Sequence, residues 1–427
     1  MDRRQFLKLA ACTGMAVGGP MGFAPLARAS QSAPYEGTFW VMVHAAGGWD
    51  PTSLCDPKGR MTEEDESPVN MFFVDDIGTV GNLVYAPVAG NQFFFEKYGS
   101  QLVVVNGIDT STNGHDSGTR HIWSGDLGEG YPALPALIAG SLAPQQPMAF
   151  VTSGGYDFTA NLVAPTRVGD TRTLTKLAYP NQLDVAKEMS LANSYHSPTT
   201  MERIQLAQKV RLEKQLASQN LPRLRHSLNM LHTARVGGNE LKLLTDVLPE
   251  TLDNGNNPLK RQAQVAVAAY KAGIAISANL VVGGFDTHGN HDNTHYPRLQ
   301  LFTEGVDFLM EEAARQGVAD KIVVVMGSDF GRTPSYNSGN GKDHWSITSM
   351  MMMGKGIEGN RVFGSTDDYH RPFTVDPVTL QDDVGGIRIT PPHIHKALRN
   401  LAGIDTLDVA KNYPISEELM PFFDAGS

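Results

Sequence analysis

The chain has 427 residues, 35 Lys and Arg against 45 Asp and Glu, and a formal net charge of −10. An acidic balance of this kind argues against nucleic acid and anionic membranes as partners. The length suits one large α/β domain rather than a small module.

The first 29 residues read as an export leader. Arg3 and Arg4 are followed by Phe6, Leu7 and Lys8, then by the weakly apolar run LAACTGMAVGGPMGFAPL. Ala27-Arg28-Ala29 makes a small-x-small cleavage site before Ser30. This is the pattern of a twin-arginine signal, whose partner is the twin-arginine translocase and whose destination is the periplasm or the medium. LAAC, ending at Cys12, also fits a lipoprotein box, but few apolar residues precede it, so the later site is preferred. That pathway carries proteins already folded, often around a cofactor. Cleavage takes the charge from −10 to −13 and leaves Cys55 as the single cysteine, so no internal disulfide is expected. No later stretch has the length of an integral membrane span.

Residues 30–427 are expected to form the folded domain. Five apolar runs share one ending: FWVMVHAAGGWD at Asp50, QLVVVNGID at Asp109, MAFVTSGGYD at Asp157, ISANLVVGGFD at Asp286 and KIVVVMGSD at Asp329. Runs apolar on both faces read as buried strands of a mostly parallel sheet. Amphipathic helices are predicted over 257–274 and 297–316, and another follows the prolines of ITPPHIHKALRNLAGI. Residues 197–248 are charged and helical, broken by Pro222 and Gly237-Gly238, and read as a helical insertion, either a lid or a surface hairpin. Met350 to Met353 read as core strand. Strand–helix alternation predicts an α/β layered fold, whose ligands bind beyond the carboxyl ends of the strands. The aspartates fall there, although each is also a good cap or turn residue; Asp109 and Asp157 are the most expendable.

Chemistry concentrates in four places: Asp50; NGHDSGTRHIWSG, with His115, Asp116, Ser117, Thr119 and His121; GGFDTHGNHDNTHYP, with Asp286, His288 and His291; and GSDFGRTPSYNSGNGKDHW, with Asp329, Arg332, Asp343 and His344. Imidazole and carboxylate are ordinary ligands of divalent metals, and two such ions can activate a nucleophile and stabilise a leaving oxygen. Polar loops also collect these residue types for their turns. Arg332 suits an anionic group or a neighbouring carboxylate. A Ser or Thr near a helix start is placed to attack, which favours Ser117 first and Thr119 second. His121 and Trp123 suit helix packing.

The twin-arginine start, GGWD, GHDSG with WSG, GGFDTHGNH and SDFGRTP with GKDHW resemble the bacterial family catalogued as domain of unknown function 1501. That family is grouped with the alkaline phosphatase and sulfatase superfamily, and the resemblance covers nearly the whole mature chain. It implies an alkaline phosphatase-like fold with a mostly parallel central sheet flanked by helices, and one or two divalent ions (Zn, Mn, Ca or Mg). It further implies metal ligands at Asp50, at Asp286 with His288 or His291, at Asp329 and at His344. Phe330 stands where the superfamily has a histidine, a departure that puts the second ion in question, with Asp343 or His115 as substitutes. CDPKGR at 55–60 superficially resembles the sulfatase C/S-x-P-x-R, but its arginine is one residue too far and it follows the wrong strand. The implied function is metal-dependent hydrolysis of a small anionic ester, a phosphate or related ester. The alternative is a non-catalytic metal-binding protein of the same fold with a role in envelope assembly or binding.

Overall fold

The computed structural model describes residues 33–423, apart from 168–174, 177, 185, 189, 237–240 and 250 and the side chains of 232–236. The predicted leader, residues 1–29, and the Gly237-Gly238 break lie outside the described residues.

The elements follow one another as β1 (Phe39–Ala46), β2 (Gly78–Val80), β3 (Leu83–Tyr85), α1 (Asn91–Tyr98), β4 (Val103–Asp109), α2 (His115–Ser124), α3 (Leu134–Leu142), β5 (Phe150–Thr152) and β6 (Pro165–Thr166). Next come α4 (Pro198–Ser218), α5 (Pro222–Val236), α6 (Leu241–Val247), α7 (Pro258–Lys271), β7 (Ser277–Gly283), α8 (His291–Arg315) and β8 (Ile322–Ser328). The chain continues through β9 (Gly331–Arg332), β10 (His344–Trp345), β11 (Ile347–Gly354), β12 (Arg361–Phe363), α9 (Pro391–Leu401) and α10 (Asp408–Lys411).

All five aspartate-ended runs are strands of one eight-stranded sheet, ordered β12-β4-β11-β8-β1-β7-β5-β6. Seven of the eight run parallel; β11, the methionine run, is reversed against β4 and β8. The reversal matters for the site. The segment from Asp329 to Ser346 leaves the carboxyl end of β8 and re-enters at the amino end of β11, so both its ends lie on the same rim as the other loops.

Pleating sends alternate residues of β1 to opposite faces. Phe39, Val41 and Val43 join a core with α1, α7 and α8, while Trp40 and Met42 join a second core with α3 and α9. Both faces of the sheet are therefore covered, which is why these strands are apolar throughout. Burial of each large apolar side chain contributes about 1.5–3 kcal/mol.

Helix α8 differs from its expected start. It begins at His291, six residues before the predicted Pro297, which lies inside it. Asn290 enters in the left-handed conformation, and His291 N–H donates to Asn340 O at 2.7 Å. The neighbouring loop thus holds the first turn, upstream of the hydrogen bond that Pro297 cannot make. Five sequence-neighbouring polar residues, His291 to His295, are thereby wound into a helix rather than left in a loop. α9 starts with a capping box between Thr390 and His393. No helix among the described residues is long and apolar enough to cross a membrane.

Candidate metal centre

Asp286, two residues beyond the last glycine of the turn after β7, is the meeting point of the rim. Its Oδ1 lies 3.0 Å from His288 Nε2, 3.1 Å from His344 Nε2 and 2.8 Å from an Arg332 nitrogen. Its Oδ2 lies 3.5 Å from His115 Nε2. One ligand atom each of His115, Asp286 and His344 falls within 4.8 Å of the others. His288 Nε2 adds to this group at 2.9 Å from His344 Nε2.

The opposite nitrogens settle which atoms carry protons. His344 Nδ1 donates to Asn113 O at 2.7 Å, since a carbonyl can only accept. His288 Nδ1 donates to the Asp343 carboxylate at 2.7 Å, and His115 Nδ1 to Asp329 Oδ2 at 2.6 Å. Each ring is anchored through Nδ1, so each neutral ring turns an Nε2 lone pair inward. Anchoring of the far nitrogen is the usual arrangement around metal-ligating histidines. Without a cation the inward atoms conflict. Neutral rings would set lone pairs against one another and against a carboxylate; fully protonated rings would crowd imidazolium charges beside Arg332. A divalent ion removes both problems, so these residues fit one.

Burial alone would raise the Asp286 carboxyl, but the Arg332 guanidinium and the neighbouring imidazoles bring it down to about 2. The Asp329 hydrogen bond raises His115 above the ordinary imidazole value. Asp343 is lowered chiefly by its bond to His288.

Asp329 is buried and serves two rings. Its Oδ2 also accepts Gly47 N–H at 3.2 Å, and its Oδ1 lies 3.0 Å from His44 Nε2. His44 Nδ1 accepts the Trp123 indole N–H at 2.9 Å, so the His44 proton sits on Nε2, facing Asp329. Phe330 is fully buried and forms the apolar wall of the site, with ring centroids 4.9 Å from His115 and 4.5 Å from His344.

Arg332 is also fully buried. It donates to Gly48 O at 2.9 Å, Lys342 O at 3.0 Å and Gly47 O, besides Asp286. It therefore ties the end of β1 to the Asp286 loop. Ser117 Oγ is engaged within its own loop, 2.6 Å from Thr112 Oγ1 and donating to Gly114 O at 3.1 Å. Thr119, one helical turn after His115, lines a cleft of about 600 Å³ with His44, His115, Arg120, Tyr156 and Asp329. Cys55 is buried, and burial with the nearby Asp56 charge pushes its thiol up, the opposite of an activated nucleophile.

Asp50 and His291 sit elsewhere, in a closed cluster beneath the rim. The Asp50 carboxylate lies 2.6 Å from Lys342 Nζ and 3.2 Å from His291 Nε2, with all three side chains fully buried. Asp109 and Asp157 pair instead with Arg388 and Arg167. Sequence reasoning passed over Lys342, His44 and the Asn113 carbonyl. Only Lys342 left a signal, as a lysine inside the ligand-dense GKDHW.

The fold and this rim define a layered α/β protein with a histidine–aspartate cluster at the carboxyl edge of its sheet. The chain belongs to the family described as Protein of unknown function (DUF1501), whose model matches residues 39–387. No curated protein matches it in sequence. Among solved structures, it is similar to the lipoteichoic acid synthase LtaP from Listeria monocytogenes at 8% identity, covering 87% of this chain and 74% of that one with a TM-score of 0.39. It is similar to the 2-O GAG sulfatase BT1596 at 12% identity, 86% and 71% coverage and a TM-score of 0.35. TAB5 alkaline phosphatase follows at 8% identity, 76% and 92% coverage and a TM-score of 0.32. At such scores these likenesses carry no weight for the chemistry of the site.

Proposed function

We propose that this chain is an exported hydrolase of a small anionic ester, a phosphate or related ester, dependent on one divalent ion held by His115, Asp286, His344 and His288. Residues 1–29 would be the twin-arginine leader and 30–427 the working domain, with 197–248 as an insertion beside it. The observation that carries the reading is the inward convergence of imidazole Nε2 atoms whose Nδ1 atoms are all anchored outward.

A bound divalent ion would supply Lewis-acid polarisation of an ester oxygen. The protein's own residues do the rest. Asp329 fixes the tautomer and aim of His115, and Phe330 keeps water from one side of the His115 and His344 rings. Thr119 faces the same cleft as His115 because residues four apart share a helix face, which makes its hydroxyl the better-placed nucleophile. Arg120, also in the cleft, attracts the anionic group of the substrate.

One observation favours a second reading, a metal-binding protein without catalysis: the Ser117 hydroxyl is spent inside its own loop. Elemental analysis of the purified protein, followed by assay against phosphate and sulfate esters, separates the two. Turnover that is lost on chelation and in Thr119→Val supports the hydrolase. A fully metallated protein inert on the whole panel leaves the binding reading.

A further inference from the structure

The Asp50 pocket is built like a cation site, and the chain fills it with its own side chain. Lys342 Nζ lies 2.6 Å from Asp50 Oδ2, 2.8 Å from Asn70 Oδ1 and 3.3 Å from Thr52 Oγ1. The Asn70 amide nitrogen donates to Thr52 O at 3.1 Å and Lys58 O at 2.9 Å, which turns its oxygen to the ammonium. An all-oxygen cage is what hard cations take. The carboxylate has little left to offer, since it has about four acceptor positions. Besides Lys342 it accepts Thr52 N–H at 3.0 Å, the Thr52 hydroxyl at 2.6 Å and the Ser53 hydroxyl at 3.1 Å.

Two histidines line the same pocket. Asp50 N–H donates to His295 Nε2 at 3.0 Å, which puts the His295 proton on Nδ1. That proton is given to Thr287 Oγ1 at 3.1 Å, and Thr287 Oγ1 also lies 2.7 Å from His291 Nδ1 and 3.4 Å from Phe285 O. His291 Nε2 lies 3.2 Å from Asp50 Oδ2, the oxygen that Lys342 Nζ already holds at 2.6 Å.

We infer that Lys342, rather than a second metal ion, is the cation of the Asp50 pocket, and that its ion pair holds together the two loops bearing the candidate ligands. The inference rests on the proposed ion at Asp286. The connection runs through the backbone on both sides. Lys342 N–H donates to Thr287 O at 3.1 Å, between Asp286 and His288, and Lys342 precedes Asp343 and His344 in the chain. From Thr287 the hydroxyl leads through His291 back to Asp50, so the ion pair closes a ring around both loops. The loops also touch directly: a Cβ at Gly341 would lie 2.0 Å from the His288 carbonyl carbon, so only glycine fits. Lys342 and Asp50 are thus positioning residues for the metal centre above them.

Equilibrium dialysis against zinc, with metal counted per chain, and thermal melts of the metal-free protein test this. Wild type should bind one ion. The double variant Asp50→Asn with Lys342→Met, which removes both charges together, should still bind one, with affinity weakened about 10- to 100-fold, as is usual when support of a metal ligand is lost. Lys342→Ala should lose affinity and melting temperature, and added ethylammonium should restore both where sodium chloride at equal ionic strength does not. If Lys342→Ala does not fold, the double variant carries the test. Two ions on wild type and one on the double variant would make Asp50 a metal ligand and overturn the proposal, as would unchanged zinc affinity in the double variant. Failure of the metal reading looks different: wild type binds no zinc, or Asp286→Asn binds as much as wild type. The melts of Lys342→Ala then decide alone, since protection by ethylammonium supports the ammonium's place and no protection overturns it.

Discussion

One short run of sequence supplies two clusters that could hardly be less alike. Asp286 and His288 stand half-exposed at the rim, while Thr287, His291 and His295 are buried just beneath it. The residue types are the same, and the difference lies in the hydrogen bonds. In the buried cluster burial disfavours charge on both histidines, and one ammonium balances one carboxylate. At the rim the outer nitrogens are anchored and the inner ones face each other without a partner that suits them. A list of ligand-type residues does not tell the two clusters apart; their burial and their hydrogen-bond partners do.

The largest effect should come from breaking the buried cluster. Lys342→Met alone leaves Asp50 charged and dry, and removal of one partner of a buried pair costs about 3–5 kcal/mol. His288→Ala, at the rim, should cost the metal-free protein under about 1 kcal/mol. Denaturant unfolding of both variants without metal checks the contrast. Equal losses would mean the two clusters are not energetically distinct.

Next in size is the metal itself. An ion that binds only the native state stabilises it by about 2.7 kcal/mol at a free concentration of one hundred times its Kd. A chelator should therefore lower the melting temperature of wild type and leave Asp286→Asn unmoved. A chelator effect of the same size in both would place the ion somewhere other than Asp286.

The clusters should also divide the pH response. Burial lowers His291 and His295 below the ordinary imidazole value, His295 strongly. Below about pH 6.5 the unfolded chain takes up protons that the native rings refuse, so stability falls with falling pH by up to about 1.4 kcal/mol per pH unit per ring. Asp50 has a lower window. Burial opposes its charge, but Lys342 and His291 overcome this and hold it well below the usual carboxylate range. Its contribution is present above about pH 4 and is lost only in stronger acid. Denaturant unfolding of metal-free protein between pH 7 and pH 5 should show a slope that His295→Gln reduces and Asp50→Asn does not.

The sheet was readable because its strands are apolar on both faces and each ends in a small-residue turn. The rim was readable for the same reason, since strand ends of a parallel sheet must share an edge. What the pattern could not show is where α8 begins. Pro297 reads as a helix start, yet the Asn340 carbonyl holds a turn from His291 onward. That earlier start turns His291 and His295 inward, one helical turn apart, and takes His291 away from Asp286. Lys342 was unreadable for another reason. Nothing in GKDHW says which of three neighbouring side chains goes down and which go up, because that depends on a contact with Thr287 far away in the chain. Phe330 was legible as a departure, but its use as a wall against His115 and His344 depends on chain segments that meet only in the fold.

The smallest predicted effect is the sharpest test of the boundary, because it lies one residue from the largest. Asp343 follows Lys342 and points the opposite way, to His288 Nδ1 at 2.7 Å, with an exposed carboxylate. Asp343→Asn keeps the shape and keeps an acceptor oxygen but removes the charge that makes His288 a better donor to the metal. Exposure to water means little is lost from the fold, under about 0.5 kcal/mol. Zinc affinity should fall by about tenfold, at the lower end of what loss of such support costs. Calorimetric titration of zinc into Asp343→Asn, read beside its denaturant curve, gives both quantities from one preparation. If the fold weakened as much as in Lys342→Met, the two residues would belong to one cluster and the boundary between rim and interior would not run between them. If affinity were unchanged, His288 would not be a ligand, and the ion would rest on His115, Asp286 and His344 alone.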